Sequence, residues 1–274
     1  MSQETSELVQ KLRLGCSGWG YEDWVGPFYP VGTPKEAFLK IYSHTFDAVE
    51  VDSAYYRTPQ PATTAGWRRT VPDGFLFTAK FPKRITHELK LVNIEKPLDA
   101  VYHSMHELRE KLGALVIQLP PSLKYDKHWE IMKGFVGQLD SEIRHAIEFR
   151  HPSWFRDDVY SLLRERGISM AWSQNQYVNT PPVATSDFLY LRLVGERDID
   201  KFSETVKDRS REMREWYKHL EDRSPEIKRA FVFFNNHYAG FGPGSLNEFR
   251  RLAGLMEIGL PAAGGPQRSI ADFG

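Results

Sequence analysis

The chain has a single cysteine, Cys16, in 274 residues. One thiol excludes an internal disulfide framework and any zinc site built from thiolates, and it fits a reducing compartment. An excess of charge of one sign is lacking too. Lys plus Arg and Asp plus Glu number 36 each, for a formal net charge of +0, so the whole-molecule field draws the protein neither to nucleic acid nor to an anionic membrane. Any anion site has to be local. No stretch reaches the roughly 18 apolar residues that a membrane-spanning helix needs, and the opening MSQETSELVQ has neither the basic nor the apolar region of a secretory signal. Fixed-period repeats, low-complexity segments and interdomain linkers are also missing. The expectation is one soluble, cytoplasmic domain over residues 12–260, with an N-terminal tail over 1–11 and a C-terminal tail over 261–274.

What is present is 41% hydrophobic content, arranged in short runs. LRLGCS (12–17), AVEVDSA (48–54), FLFTAKF (75–81), ALVIQLP (114–120), HAIEFR (145–150), ISMAWS (168–173), FLYLRLV (188–194) and AFVFFNN (230–236) alternate with amphipathic segments such as DDVYSLLRERG and DRSREMREWYKHLEDR. Gly113 and Gly167 stand where helix C-caps are expected. Eight strands alternating with helices over about 250 residues is the pattern of an α/β fold of the (β/α)8 TIM-barrel type, single-domain and tolerant of irregularity. An open doubly wound sheet ranks second, because GCSGWG matches neither the dinucleotide fingerprint nor a P-loop in spacing.

Side chains alternate faces along a strand. If the apolar members of each run face the helices, the others face the barrel interior: Glu50 and Asp52 from the second strand, Thr78 and Lys80 from the third, Gln118 from the fourth, Glu148 and Arg150 from the fifth, Tyr190 and Arg192 from the seventh. The eighth strand ends in Asn235 and Asn236, one of which must face inward. Unpaired buried charge costs several kcal/mol, so these groups are expected as a matched set at the strand C-termini, where such barrels place their sites. The loop NNHYAGFGPGSLNEF adds three glycines, Gly240, Gly242 and Gly244, before a helix with Ser245 and Glu248 in capping-box spacing. That arrangement suggests an anion cradle closed by Lys80, Arg150 or Arg192.

Six strings are specific enough to compare with a family. GCSGWGYEDWVGPFYP, VEVDSAYYRTP, FLFTAKFPKRITHE, LGALVIQLPPSLKY, AIEFRHPSWF and FVFFNNHYAG, in this order from about residue 12 to 256, resemble the YecE-like family, domain of unknown function 72. The resemblance implies a (β/α)8 barrel with its motifs at the strand C-termini and no established reaction. Glu50, Lys80, Gln118, Glu148, Arg150, His151, Trp154, Asn235, Asn236 and His237 match motif positions. Where this chain has Asp52, the family commonly has asparagine.

The leading expectation is an enzyme acting on a small or oligomeric anionic, phosphate-containing substrate, a nucleotide or nucleic-acid phosphoester among the candidates. Glu148 or Glu50 serves as acid or base, with Lys80 catalytic and Lys80, Arg150 and Arg192 as charge clamps. Trp19, Asp52, Tyr55, Gln118, Arg150, His151, Trp154, Arg192, Asn235, Asn236, His237 and Gly240 are the expected substrate contacts. A carbohydrate-active hydrolase using Glu50 and Glu148 is the first alternative, with Trp19, Tyr21, Trp24, Tyr55, Tyr56 and Trp154 exposed for stacking on sugars, or equally on bases. Against it, Gln118 and Arg192 stand at the strand ends where barrel glycosidases carry glutamates. A non-catalytic nucleotide-, sugar- or nucleic-acid-binding protein is the second. No cofactor, metal or membrane partner is implied. A divalent metal on Glu50, Asp52, Glu148, His151 or His237 is the weaker reading, because no HExxH-type spacing occurs and neighbouring cations oppose it.

Overall fold

A computed structural model describes residues 7–260. The expected strands form as β1 (Leu12–Ser17), β2 (Ala48–Val51), β3 (Leu76–Lys80), β4 (Leu112–Gln118), β5 (His145–Glu148), β6 (Ser169–Met170), β7 (Trp172–Asn175), β8 (Phe188–Gly195) and β9 (Arg229–Phe234). All pair in parallel, in the order β6-β5-β4-β3-β2-β1-β9-β8-β7. The two outer members are halves of the sixth expected strand. β6 pairs with β5, β7 pairs with β8, and only Ala171 separates them, so the order returns on itself and the sheet is a TIM barrel. The break has a local cause. β5 ends at Glu148, and the Ala171 N–H to Ile147 carbonyl bond is the last between the two segments among the described residues.

The barrel wall separates two apolar clusters, as alternation requires. Outward residues such as Val49, Val51, Phe77, Ile117, Ile147, Leu191 and Val232 pack with the helices. Inward residues Ala48, Leu76, Ala114, Val116, Ala146, Ala171, Phe188, Tyr190, Phe231 and Phe233 fill the interior. The interior is filled asymmetrically, with small residues on β1, β2, β4 and β5 making room for the rings of β8 and β9, each worth about 1.5–3 kcal/mol when fully buried. Gly15 sits at the tightest point, where an added Cβ would lie 1.9 Å from the Ala48 carbonyl oxygen.

Two expectations need correcting. Gly113 is inside β4 rather than at a helix end, and it is small because a Cβ there would lie 2.9 Å from the Phe231 ring. Gly167, with φ of +63°, does follow its helix Asp157–Glu165 as expected. Part of the N-terminal segment expected as a tail is a helix, Glu7–Lys11, which buries Leu8 and sends Lys11 Nζ to the Ser224 carbonyl at 2.8 Å. The expected tail over 261–274 lies outside the described residues.

Candidate functional site

The inward charges of β2, β3, β5 and β8 meet at the C-terminal mouth around Arg192. Its Nε and Nη2 donate to Glu50 Oε2 and Oε1, both at 2.7 Å, and its Nη1 donates to Glu148. Glu50 also accepts from Ser17 Oγ at 2.9 Å and Tyr190 OH at 2.8 Å. Four donors fill the roughly four lone-pair directions of a carboxylate. Behind it, Thr78 Oγ1 lies 2.8 Å from Tyr190 OH, so each polar group in the stack is satisfied.

Glu148 accepts from Arg150 Nε at 2.8 Å, and Gln118 Oε1 bridges the two guanidiniums, 2.8 Å from Arg150 Nη2 and 3.4 Å from Arg192 Nη1. Glu50 and Glu148 are both fully buried, at 0% exposure. Burial alone would raise the Glu148 carboxyl, but Arg192, Arg150 and Lys80 outweigh it and hold it at about 2. Burial likewise opposes the charge on Arg192, and Glu148 and Glu50 reverse the balance, raising it well above the usual guanidinium range.

Asp52, in the turn Asp52–Tyr55 after β2, is the third carboxylate. It lies 2.7 Å from Lys80 Nζ and 3.9 Å from Arg192 Nη2. Burial pushes its pKa up, and Lys80 and Arg192 pull it down further, leaving it lowered. Lys80 also sits 5.1 Å from the centre of the Tyr55 ring, and Arg150 5.3 Å from that of Tyr177.

Above this layer opens a pocket of about 200 Å³. Among the described residues Lys80, Arg150, Arg192 and Arg197 line it, against a single lining carboxylate, Asp52. Glu50 and Glu148 lie beneath, behind Arg192. Gln118, Asn235, Asn236 and His237 complete the polar wall, and Tyr21, Tyr56 and Phe202 its aromatic part. Arg197 makes no hydrogen bond or ion pair among the described residues, and the buried Asn236 Nδ2 and His237 Nδ1 have no hydrogen-bond partner there. Among the described residues, no group of three or more His, Cys, Asp or Glu side chains is arranged to hold a metal ion, and no helix is long and apolar enough to cross a membrane.

Of the expected contacts, Asp52, Lys80, Gln118, Arg150, Arg192, Asn235, Asn236 and His237 line this pocket, both asparagines facing it rather than one. Tyr55 touches it only through Lys80. Four others lie elsewhere. Trp154 is fully buried on Phe149, with Nε1 donating to the Leu123 carbonyl at 2.8 Å. Trp19 packs on Trp67 and Phe77. His151 caps the turn Pro152–Trp154 by accepting from the Ser153 N–H. Gly240, with φ of +110°, lies under the 204–206 loop, where a Cβ would come 2.5 Å from the Glu204 carbonyl oxygen. Trp24, expected to be exposed, is also fully buried.

The glycine loop offers fewer open donors than an anion cradle needs. Its helix runs Gly242–Leu252, so Ser245 falls inside the first turn rather than at the cap. The Gly242 N–H is taken by Asn236 Oδ1, the Ser245 N–H by the Phe241 carbonyl, and Pro243 has none. The glycines allow close packing instead. Residue patterns passed over Arg197, Phe202 and Tyr177. The first has a readable signal, since GER directly follows the strand FLYLRLV and therefore belongs to the mouth.

The family described as protein of unknown function DUF72 matches residues 13–268. The chain is 23% identical to the UPF0759 protein YunF of Bacillus subtilis, over 91% of this chain and 97% of that protein. It is 25% identical to the UPF0759 protein YecE of Escherichia coli K12, over 63% of this chain and 60% of that protein. The crystal structure of a DUF72 family protein, TM1631 of Thermotoga maritima, superposes with a TM-score of 0.73 at 26% identity, covering 88% of this chain and 98% of that one.

Proposed function

We propose that this chain, which belongs to the DUF72 family of proteins of unknown function, is an enzyme that takes a phosphate-bearing substrate, a nucleotide or a phosphoester of one, at the C-terminal mouth of its barrel. The observation that carries this reading is the layering of charge. Four cations face the pocket against one carboxylate, while the two glutamates that balance Arg192 and Arg150 are buried beneath. An anion entering the pocket therefore meets positive charge first. It also meets uncommitted donors. Arg150 spends Nε on Glu148 and one Nη2 hydrogen on Gln118, leaving Nη1 free, and Arg197 spends none.

The chemistry divides accordingly. Glu50 and Glu148 together hold Arg192 in place, and Glu148 also holds Arg150. Lys80 and Asp52, in contact with each other and with the pocket, are the pair placed for proton transfer. The glycosidase reading has less support, because its general acid must carry a proton near neutral pH. Glu148 is held at about 2, and every lone pair of Glu50 is taken.

Thermal-shift and calorimetric titrations with inorganic phosphate, deoxythymidine monophosphate and glucose test the reading. The two phosphates bind and glucose does not, and Arg197→Ala weakens phosphate binding by about 1.5–3 kcal/mol, the range for a charged hydrogen bond. Arg197 is exposed, so the variant keeps the parent's melting temperature. Equal phosphate affinity in parent and variant, or binding of glucose alone, refutes it.

A further inference from the structure

A second pocket opens beside the first. Among the described residues Arg57, Arg84 and Lys96 line it and no carboxylate does, and Tyr56 lines both pockets. Its volume is about 450 Å³. The three cations come from different places: the turn after β2, the loop after β3, and the helix Glu95–Met105. They make no side-chain hydrogen bond or ion pair among the described residues, whereas their neighbour Lys83 is paired with Glu88. Three like charges gathered without counter-ions repel one another, and nothing in the packing of the fold requires them, since all three are exposed.

The backbone that carries Arg84 is unusual as well. Arg84–Glu88 is a π-helical turn, and Lys90, Leu91 and Asn93 follow with φ of 50°, 70° and 54°. Non-glycine residues seldom take that conformation, and π turns and such strain cluster at binding sites.

Resting on the phosphate reading of the main pocket, we propose that this groove is a second anion subsite and that the ligand is a single-stranded oligonucleotide. One phosphate sits among Lys80, Arg150 and Arg197, and a neighbouring phosphate of the same strand sits on Arg57, Arg84 and Lys96. Tyr56 decides the class. Tyr56 is 67% exposed and lines both cationic pockets, where a base attached between two phosphates can stack on its ring. An acidic peptide or polyphosphate presents no planar face there. A duplex would need a broad cationic surface, which a chain of net charge +0 does not advertise.

The test is fluorescence anisotropy with a labelled deoxythymidine pentamer on the full chain, in competition with deoxythymidine monophosphate and across a salt series. The pentamer binds at least tenfold more tightly than the monophosphate. The Arg57→Ala/Arg84→Ala double variant loses that advantage and keeps its affinity for the monophosphate. Loss of that one phosphate contact also flattens the plot of log affinity against log salt by roughly 0.7. Tyr56→Ala weakens the pentamer without changing that slope. If the monophosphate binds but the pentamer gains nothing, or the double variant binds it as the parent does, the second subsite is refuted and the phosphate reading stands. Binding of neither refutes both.

Discussion

Glu148→Gln isolates the buried charge balance at the mouth from its packing. The two side chains have nearly the same shape, but the variant replaces one carboxylate oxygen by an NH2 that must face either Arg192 Nη1 or Arg150 Nε, donor against donor. Arg192 then keeps Glu50, while Arg150 loses the one carboxylate it pairs with among the described residues. Breaking a buried pair from one side costs about 3–5 kcal/mol. Depression of the carboxyl from 4.5 to about 2 corresponds to ~3 kcal/mol, of the same order. For a domain of this size that is a fall in melting temperature of roughly 6–10 °C. The folded pKa is below the unfolded one, so this stabilisation is complete above about 4.5 and is lost as pH falls toward about 2. Urea denaturation followed by tryptophan fluorescence reads both features. The gap between parent and variant is full at pH 7 and narrows by ~1 kcal/mol at pH 3.5. Equal midpoints at pH 7, or a gap that acid leaves unchanged, would refute the assignment of Glu148 as the ionised partner of both arginines.

Further outcomes follow from other contacts. Gly15→Ala drives a methyl group against backbone, 1.9 Å from the Ala48 carbonyl oxygen, and neither β1 nor β2 can move without breaking the barrel; the soluble folded fraction on expression drops sharply, and parent-like yield and melting temperature would contradict the packing described. His145, buried and held at about 4 by desolvation, binds its proton more weakly folded than unfolded, so stability falls by ~3 kcal/mol as pH drops from 6.5 to about 4. His145→Gln flattens that part of the stability–pH curve, and an unchanged curve counts against the assignment. Asp52→Asn removes the pocket's one lining carboxylate, so phosphate binds several-fold more tightly by calorimetry; weaker binding would mean that Asp52 orients Lys80 for the anion rather than opposing it.

Strand alternation was legible from residues 12 to 236 because it is a local property. A period of two sends Glu50, Lys80, Gln118, Glu148 and Arg192 to one face whatever lies opposite, and matched charges on that face already implied pairing. The family motifs pointed to the same mouth. Which carboxylate meets which cation was not legible, because it depends on the register between strands. Arg192 reaches Glu50 across 142 positions and Glu148 across 44, and no pattern near either glutamate encodes that meeting. Depth was equally hidden. Trp24 and Trp154 occur in the same kind of loop string as Tyr56, yet the first two are fully buried and Tyr56 is 67% exposed, since neighbouring loops cover one place and not the other. The glycines at 240, 242 and 244 read as an anion cradle in one dimension. In three, the Glu204–Val206 segment crowds Gly240 and Gly244 and Asn236 takes the Gly242 N–H, and only the path of the chain over the mouth decides that.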